Sequence, residues 1–304
     1  MCCFPRSRSC ALGPLVSEAR VVPGLRWLEG SAEGRAWLRE LPRRVAACSE
    51  QWELVLDAPF PNSFVSIVNP AARRDGSLAV LKIQYPHDES EHEDEALRLW
   101  NGNGAVQLLD YDAQHHALLL ERCQPGTPLS AAGADEALRI YSSLLPRLWV
   151  PAASPFRSLA DEAAGWIATL PASRARANRL VETRLLDLAL ESLERLRTTQ
   201  GEQVLIHQDL HASNILRATR EPWLVIDPKP LVGEREFSLA PIVRGAELGH
   251  GRAEVVRRLD TLATNLGVDR ERVRLWTLGQ TLAWGFDGER ASDHLATARW
   301  LAEA

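Results

Sequence analysis

Asp209 and Asn214 stand five residues apart in the run Ile206-His207-Gln208-Asp209-Leu210-His211-Ala212-Ser213-Asn214-Ile215-Leu216. Asp227 closes a second run, Leu224-Val225-Ile226-Asp227, thirteen residues beyond Asn214. The first run is the densest polar cluster of the chain and lies between apolar stretches. The second reads as a strand that ends in a carboxylate. These residue types at this spacing suit phosphoryl transfer. One carboxylate orients an attacking hydroxyl and takes its proton, while an amide oxygen and a second carboxylate hold Mg²⁺ against a triphosphate. Asp209 is therefore the candidate base, and Asn214 and Asp227 are the candidate metal ligands. The alternation of His207, Asp209 and His211 also fits a metal hydrolase, which needs further ligands. The remaining six histidines, His87, His92, His115, His116, His250 and His294, sit in no comparable motif.

Of 35 lysines and arginines, only Lys82 and Lys229 are lysine. A compact ammonium and a planar guanidinium do different work, so these two positions stand out. Lys82 lies in the strand-like run Leu78-Ala79-Val80-Leu81-Lys82-Ile83. Phosphoryl-transfer sites use such a lysine on the α- and β-phosphates and fix it with a carboxylate from the following helix. Glu89, Glu91, Glu93 and Glu95 compete for that role. At about 100° per residue, Ala96, Leu97 and Trp100 form an inward stripe with Glu93 near its centre, while Glu91 and Glu95 lie on the far side and Glu89 precedes the helix, so Glu93 is the expected partner of Lys82. Ser90 and Glu93 also spell a capping box.

These residues need elements to position them. Strand-like runs are expected at 54–56, 64–68, 78–84, 106–111 and 117–122, separated by turn signals such as Arg74-Asp75-Gly76 and Asn101-Gly102-Asn103-Gly104. One helix, 89–100, interrupts them, which predicts an antiparallel sheet carrying one helix. A helix is expected at 36–51, preceded by a poorly ordered leader over 1–35. After Pro125-Gly126-Thr127-Pro128 the periodicity is helical, with candidates at 135–149, 156–170, 174–197, 253–266, 270–286 and 289–302. Only the short apolar runs 204–207 and 223–226 break that half. The expected fold class is α+β and bilobal: a nucleotide-binding lobe over 36–122 and a catalytic and substrate lobe over 123–304.

The chain resembles the aminoglycoside and hydroxyurea antibiotic-resistance kinases, typified by streptomycin 6-kinase, from about Trp37 to Ala302. The carriers are Ala79-Val80-Leu81-Lys82, Glu91-His92-Glu93, Leu118-Leu119-Leu120-Glu121-Arg122, 207–214 and 221–229. The resemblance implies a protein-kinase-like fold with ATP and Mg²⁺ between the lobes and a small-molecule hydroxyl as acceptor. It implies that Glu121–Cys123 is the hinge, with Glu121 and Cys123 touching adenine through backbone groups. It also implies that the turn Asn62-Ser63 covers the phosphates where other kinases have a glycine-rich loop. Three positions depart from the family: Gln208 and Pro230 each replace a glycine, and Ser238 replaces an aspartate that braces the catalytic loop. The acceptor reading is a streptomycin-like aminoglycoside. Hydroxyurea or a small metabolite is the alternative, and the departures motivate a nucleotide-binding pseudokinase as a further one. A cationic acceptor calls for acidic residues, for which Asp161, Glu162, Asp187, Asp287 and Glu289 are candidates. Trp166 and Trp284 read as core.

Composition limits the partners. The 304 residues carry a formal charge of −5, with 45% hydrophobic and 25% charged side chains, a soluble globular balance. No basic nucleic-acid footprint and no apolar run of membrane length is present in the sequence. The start lacks the apolar stretch of a secretory signal. Five cysteines, Cys2, Cys3, Cys10, Cys48 and Cys123, match no zinc spacing. A cytoplasmic monomer or weak dimer with reduced thiols is expected.

Overall fold

A computed structural model describes residues 22–61, 63–176, 181–286 and 291–304. Asn62, Asp287 and Glu289 lie outside the described residues. The chain divides into two compact units. The first holds residues up to Tyr85 together with Asp112–Ala117, and the second holds Pro86–Tyr111 and Leu118–Ala304.

In the first unit, a 3₁₀ turn at Pro23–Gly30 precedes α1 (Ala32–Gln51). Order therefore begins before the expected boundary at 36. Leu25 and Leu28 explain it: both are buried, in a core with Val22, Trp37, Leu41, Cys48, Leu81, Ile83 and Ala117. Ser31 caps α1 by accepting the Gly34 N–H at 2.9 Å. Gly34 is required there, since a Cβ would lie 2.2 Å from the Leu28 carbonyl oxygen. Strands β1 (Val55–Leu56), β2 (Ser66–Ala72) and β3 (Leu78–Gln84) pair antiparallel in sequence order, with Val68 opposite Lys82. Lys82 is 4% exposed, on a strand whose neighbours Leu81 and Ile83 are fully buried. Strand β2 starts two residues later than expected and runs on to Ala72, because pairing with all seven residues of β3 sets its length.

The second unit opens with a 3₁₀ turn at Asp88–Ser90 and then α2 (Glu93–Trp100), which starts four residues later than expected. His92, in a left-handed conformation, is the N-cap, and no side chain caps the helix. The cap position thus falls on His92 and not on Ser90, whose hydroxyl donates to the His87 carbonyl at 2.8 Å. The helical phase holds: Glu93, Ala96, Leu97 and Trp100 are buried, whereas Glu91 is exposed. Asp94 is buried as well and is neutralised by Arg98 one turn on. Strands β4 (Leu108–Asp112) and β5 (Ala117–Glu121) follow as neighbours, their connecting tip belonging to the first unit.

Beyond β5 come α3 (Ala134–Leu148), β6 (Arg157–Ser158), α4 (Leu159–Arg176) and α5 (Thr183–Thr198). Four short strands carry the polar motifs: β7 (Gln203–His207), β8 (Ile215–Arg217), β9 (Trp223–Val225) and β10 (Pro230–Glu234). Helices α6 (Ala240–Arg244), α7 (Arg252–Leu266), α8 (Arg270–Ala283) and α9 (Ala291–Ala302) complete the chain. Trp166, Phe237 and Trp276 meet in the core, with ring centroids 5.9 and 5.5 Å apart along that chain. Glu234, 1% exposed, accepts from Arg272 and from the Trp276 indole, so a buried carboxylate in this helical half is matched. No helix among the described residues is long and apolar enough to cross a membrane.

Candidate active site

Two antiparallel strand pairs set the polar loop. In the first, β10 pairs β7 with Pro230 opposite His207, and the Gln208 N–H donates to the Lys229 carbonyl at 3.0 Å. In the second, β8 pairs β9 with Ile215 opposite Val225, and the Ile226 N–H donates to the Asn214 carbonyl at 2.9 Å. The loop from 208 to 214 leaves one pair and enters the other. The segment 226–229 makes the same passage in reverse. Register therefore brings Asn214 beside the stretch that carries Asp227, a proximity that thirteen intervening residues do not guarantee. Asp227 sits at φ 55°, in the left-handed region that aspartate tolerates better than most residues.

Within the loop, the Asn214 amide NH₂ donates to the Asp209 carbonyl at 3.0 Å. That bond fixes the amide so that its oxygen is the end left for a ligand. The His207 ring is fully committed: Nε2 donates to the Ile226 carbonyl at 3.0 Å, and Nδ1 accepts the Asp209 N–H at 3.2 Å. It also stacks on Trp100, centroids 6.4 Å apart. Burial pushes this imidazole down to about 4, against the pull of the Ile226 carbonyl and of Asp209. A neutral ring with both nitrogens occupied is no metal ligand, so the hydrolase reading fails at His207.

The Asp209 carboxylate has charged neighbours on two sides. Lys229 Nζ lies 3.1 Å from its Oδ2 and 3.0 Å from Oε2 of Glu89. His211 Nε2 lies 4.0 Å from the same Oδ2, and its Nδ1 is 3.3 Å from Oε1 of Glu247. The Ser213 hydroxyl donates to that Glu247 oxygen at 2.5 Å. Burial alone would lower His211, but the Glu247 hydrogen bond and the Asp209 charge outweigh it and hold the imidazole above its ordinary value. Burial raises Glu247, yet the His211 and Ser213 bonds bring it down to about 2. Glu247 was missed in the sequence, where it stands alone in a loop and carries no spacing signal.

Asp209 opens on a cavity of about 250 Å³ that is also lined by His211, Arg244, Glu247, His250, Asp293 and His294. Three carboxylates face one guanidinium. Arg244 stacks over the Trp284 ring at 4.6 Å, and burial pushes it down to about 10. Of the acidic residues expected around an acceptor, Asp161, Glu162 and Asp187 do not line this cavity, and Asp287 and Glu289 lie outside the described residues. Glu162 pairs with Arg157 at 2.5 Å, and Asp161 bonds Ser158 at 3.0 Å. Trp166 is core, as read, whereas Trp284 supports the cavity's arginine. Ser238, in place of the family's aspartate, accepts from the Trp149 indole and donates to the Arg235 carbonyl, so it does not brace the loop. The Gln208 amide donates to Glu162 at 3.4 Å.

A profile of the aminoglycoside/hydroxyurea antibiotic resistance kinases matches residues 51–288. The chain belongs to this family. It is 41% identical to a hydroxyurea phosphotransferase of Kitasatospora aureofaciens over 86% of this chain and 78% of that one. It is 40% identical to a streptomycin 6-kinase of Streptomyces griseus over 83% of this chain and 84% of that one. Among solved structures, an aminoglycoside phosphotransferase APH(4)-Ia in complex with ADP and hygromycin B aligns at TM-score 0.55 and 15% identity, covering 85% of this chain and 95% of that one. The fold is protein-kinase-like and α+β, and the protein is a small-molecule phosphotransferase, which places the enzyme above the pseudokinase reading.

Of the nucleotide residues read from the sequence, Lys82 belongs to the first unit and Glu93, 2% exposed, to the second. The backbone of Ser63 is packed against Gly24, and the Phe64 carbonyl accepts the Trp27 indole at 2.6 Å, which anchors the described end of that turn. Glu121 uses its N–H on the Gln107 carbonyl and its carboxylate on Arg220. Cys123 is half-buried, and desolvation pushes its thiol up to about 12.

Proposed function

We propose that this protein transfers the γ-phosphoryl group of ATP to a hydroxyl of a streptomycin-like aminoglycoside, inactivating the antibiotic. The observation that carries this reading is the Asp209 carboxylate, set in a loop fixed at both ends and opening on a cavity where carboxylates outnumber cations. A cationic aminocyclitol buried without counter-charge is strongly disfavoured, and Asp209, Glu247 and Asp293 supply that charge.

Asp209 orients the acceptor hydroxyl and takes its proton as the oxygen attacks phosphorus in line. Lys82 is assigned to the α- and β-phosphates, with Glu93 as its carboxylate. Ser63 and the undescribed Asn62 are assigned to the phosphate-covering turn, and Glu121 and Cys123 to adenine through the backbone. Asn214 and Asp227 would hold Mg²⁺. A fixed amide oxygen and a carboxylate are the hard donors this ion prefers, and the bound ion would neutralise phosphate charge. The nucleotide role of 36–122 and the acceptor role of 123–304 are kept as a division of labour, not as a boundary between compact units.

Hydroxyurea is the second acceptor, favoured by one observation: Arg244 faces the cavity with no ion-pair partner among the described residues, and a guanidinium suits a carbonyl oxygen. Incubation with Mg²⁺, ATP and either streptomycin or hydroxyurea, read by phosphorus NMR, tests both. A phosphate ester on streptomycin with release of ADP is expected. Transfer to hydroxyurea alone would replace the aminoglycoside, and transfer to neither would refute both.

A further inference from the structure

Lys229 is the lysine of this chain to which the function above gives no task. Its ammonium touches two carboxylates, Asp209 at 3.1 Å and Glu89 at 3.0 Å. Its side chain is 24% exposed and that of Glu89 33%. Elsewhere the chain builds its ion pairs with arginine, as in Arg157–Glu162, Arg220–Glu121 and Arg272–Glu234. A tether for a carboxylate would be served as well by a guanidinium fork. A compact ammonium is wanted where the cation must change partners in a small space.

The position says what the second partner is. A hydroxyl bonded to Asp209 sits ~2.7 Å from the carboxylate, and the phosphorus it attacks ~3–3.5 Å beyond. A cation 3.1 Å from Asp209 Oδ2 is therefore within one atomic layer of the group in transfer. Glu89, in a short 3₁₀ turn and partly in solvent, is a weak anionic partner that a phosphoryl oxygen can displace. We propose that Lys229 is a further catalytic residue, the cation that meets the transferring phosphoryl group beside Asp209, and that Glu89 occupies it when no nucleotide is bound. This rests on the kinase reading.

In the step, the acceptor oxygen bonds to the γ-phosphorus and the bond from phosphorus to the β,γ-bridging oxygen breaks. ADP leaves with that electron pair, and the hydroxyl proton goes to Asp209. Lys229 stays protonated throughout; it offsets charge on the phosphoryl oxygens and moves no proton. Its partner changes from Glu89 to the phosphoryl group and back.

The test uses the full chain with Lys229→Met, Lys229→Arg and Glu89→Gln. Turnover and KM are measured with ATP and the acceptor, and affinity for a non-hydrolysable ATP analogue with Mg²⁺ by calorimetry. Lys229→Met should lower kcat by ~10²–10³, as loss of one preorganised charge-stabilising donor does, with acceptor KM within about threefold. Lys229→Arg should regain less than about a tenth of the lost turnover. Glu89→Gln should bind the analogue about threefold more tightly, because the competing anion is gone. Turnover within about fivefold of wild type in Lys229→Met, or full rescue by arginine, overturns the proposal. So does weaker analogue binding in Glu89→Gln. If Lys229→Met does not fold, as judged by Tm, Lys229→Gln carries the same test. If the wild type transfers phosphate to no acceptor, the kinase reading fails, and the analogue-binding arm still decides whether Lys229 and Glu89 compete with phosphate.

Discussion

His207 should make the 207–214 loop fail on acidification before it fails for other reasons. The ring is 2% exposed and neutral, with Nδ1 accepting from Asp209 and Nε2 donating to Ile226. Folding holds it at about 4, against 6.5 in the unfolded chain. Below pH 6.5 the unfolded state takes up a proton that the folded state refuses until about pH 4. The stability from keeping His207 neutral is thus complete above pH 6.5 and is lost as pH falls through about 4. At ~1.4 kcal/mol per tenfold the whole effect is about 3 kcal/mol, of which about 2 kcal/mol is gone by pH 5. Urea unfolding of wild type and His207→Gln at pH 7 and pH 5 measures it. Glutamine keeps the donor toward Ile226 and cannot titrate. The substitution costs stability at both pH values, but the wild type should lose about 2 kcal/mol more than the variant on going from pH 7 to pH 5. Parallel losses in the two proteins would show that His207 does not carry the acid sensitivity. Circular dichroism of the wild type should then show no step near pH 4.

Asp209→Ala should leave affinity for the ATP analogue within about threefold while lowering turnover by ~10²–10⁴, the worth of a positioned proton acceptor, read by calorimetry and coupled ADP release. Glu247→Gln should let the His211 imidazole fall from its raised value, because burial then acts with less opposition; a proton NMR titration of that ring checks it. The same variant should raise KM for a cationic acceptor more than KM for hydroxyurea, since it removes one of the cavity's three carboxylates. Gly233→Ala should destabilise by about 1–3 kcal/mol in thermal unfolding, as overpacking does, because its Cβ would lie 2.5 Å from Cβ of Leu159, an atom that no rotamer change can move.

Local pattern was enough for much of this. Strand β3 lies on the residues expected from its apolar run, and the inward phase of Glu93 followed from the stripe Ala96, Leu97 and Trp100. Periodicity and motif spacing are properties of neighbouring residues, so they survive in the chain unfolded on the page. The N-cap is different: it falls on His92, in a left-handed conformation that no local pattern announces, and not on Ser90. No local pattern marks the order at Leu25 and Leu28, whose burial depends on a core completed by Leu81, Ile83 and Ala117.

The residues around Asp209 were of the other kind. Asn214 and Asp227 were legible as donors, but only the registers of β8 with β9 and β7 with β10 bring their segments together. Glu247, Arg244, Asp293 and Glu89 lie 35 to 120 residues from Asp209 and carry no motif of their own. Their sense comes from a cavity and from ion pairs made between distant elements. Burial and opposite charge set the state of His207, His211 and Glu247, and both depend on which parts of the chain pack together. A linear sequence states which charges exist; the tertiary fold decides which of them meet.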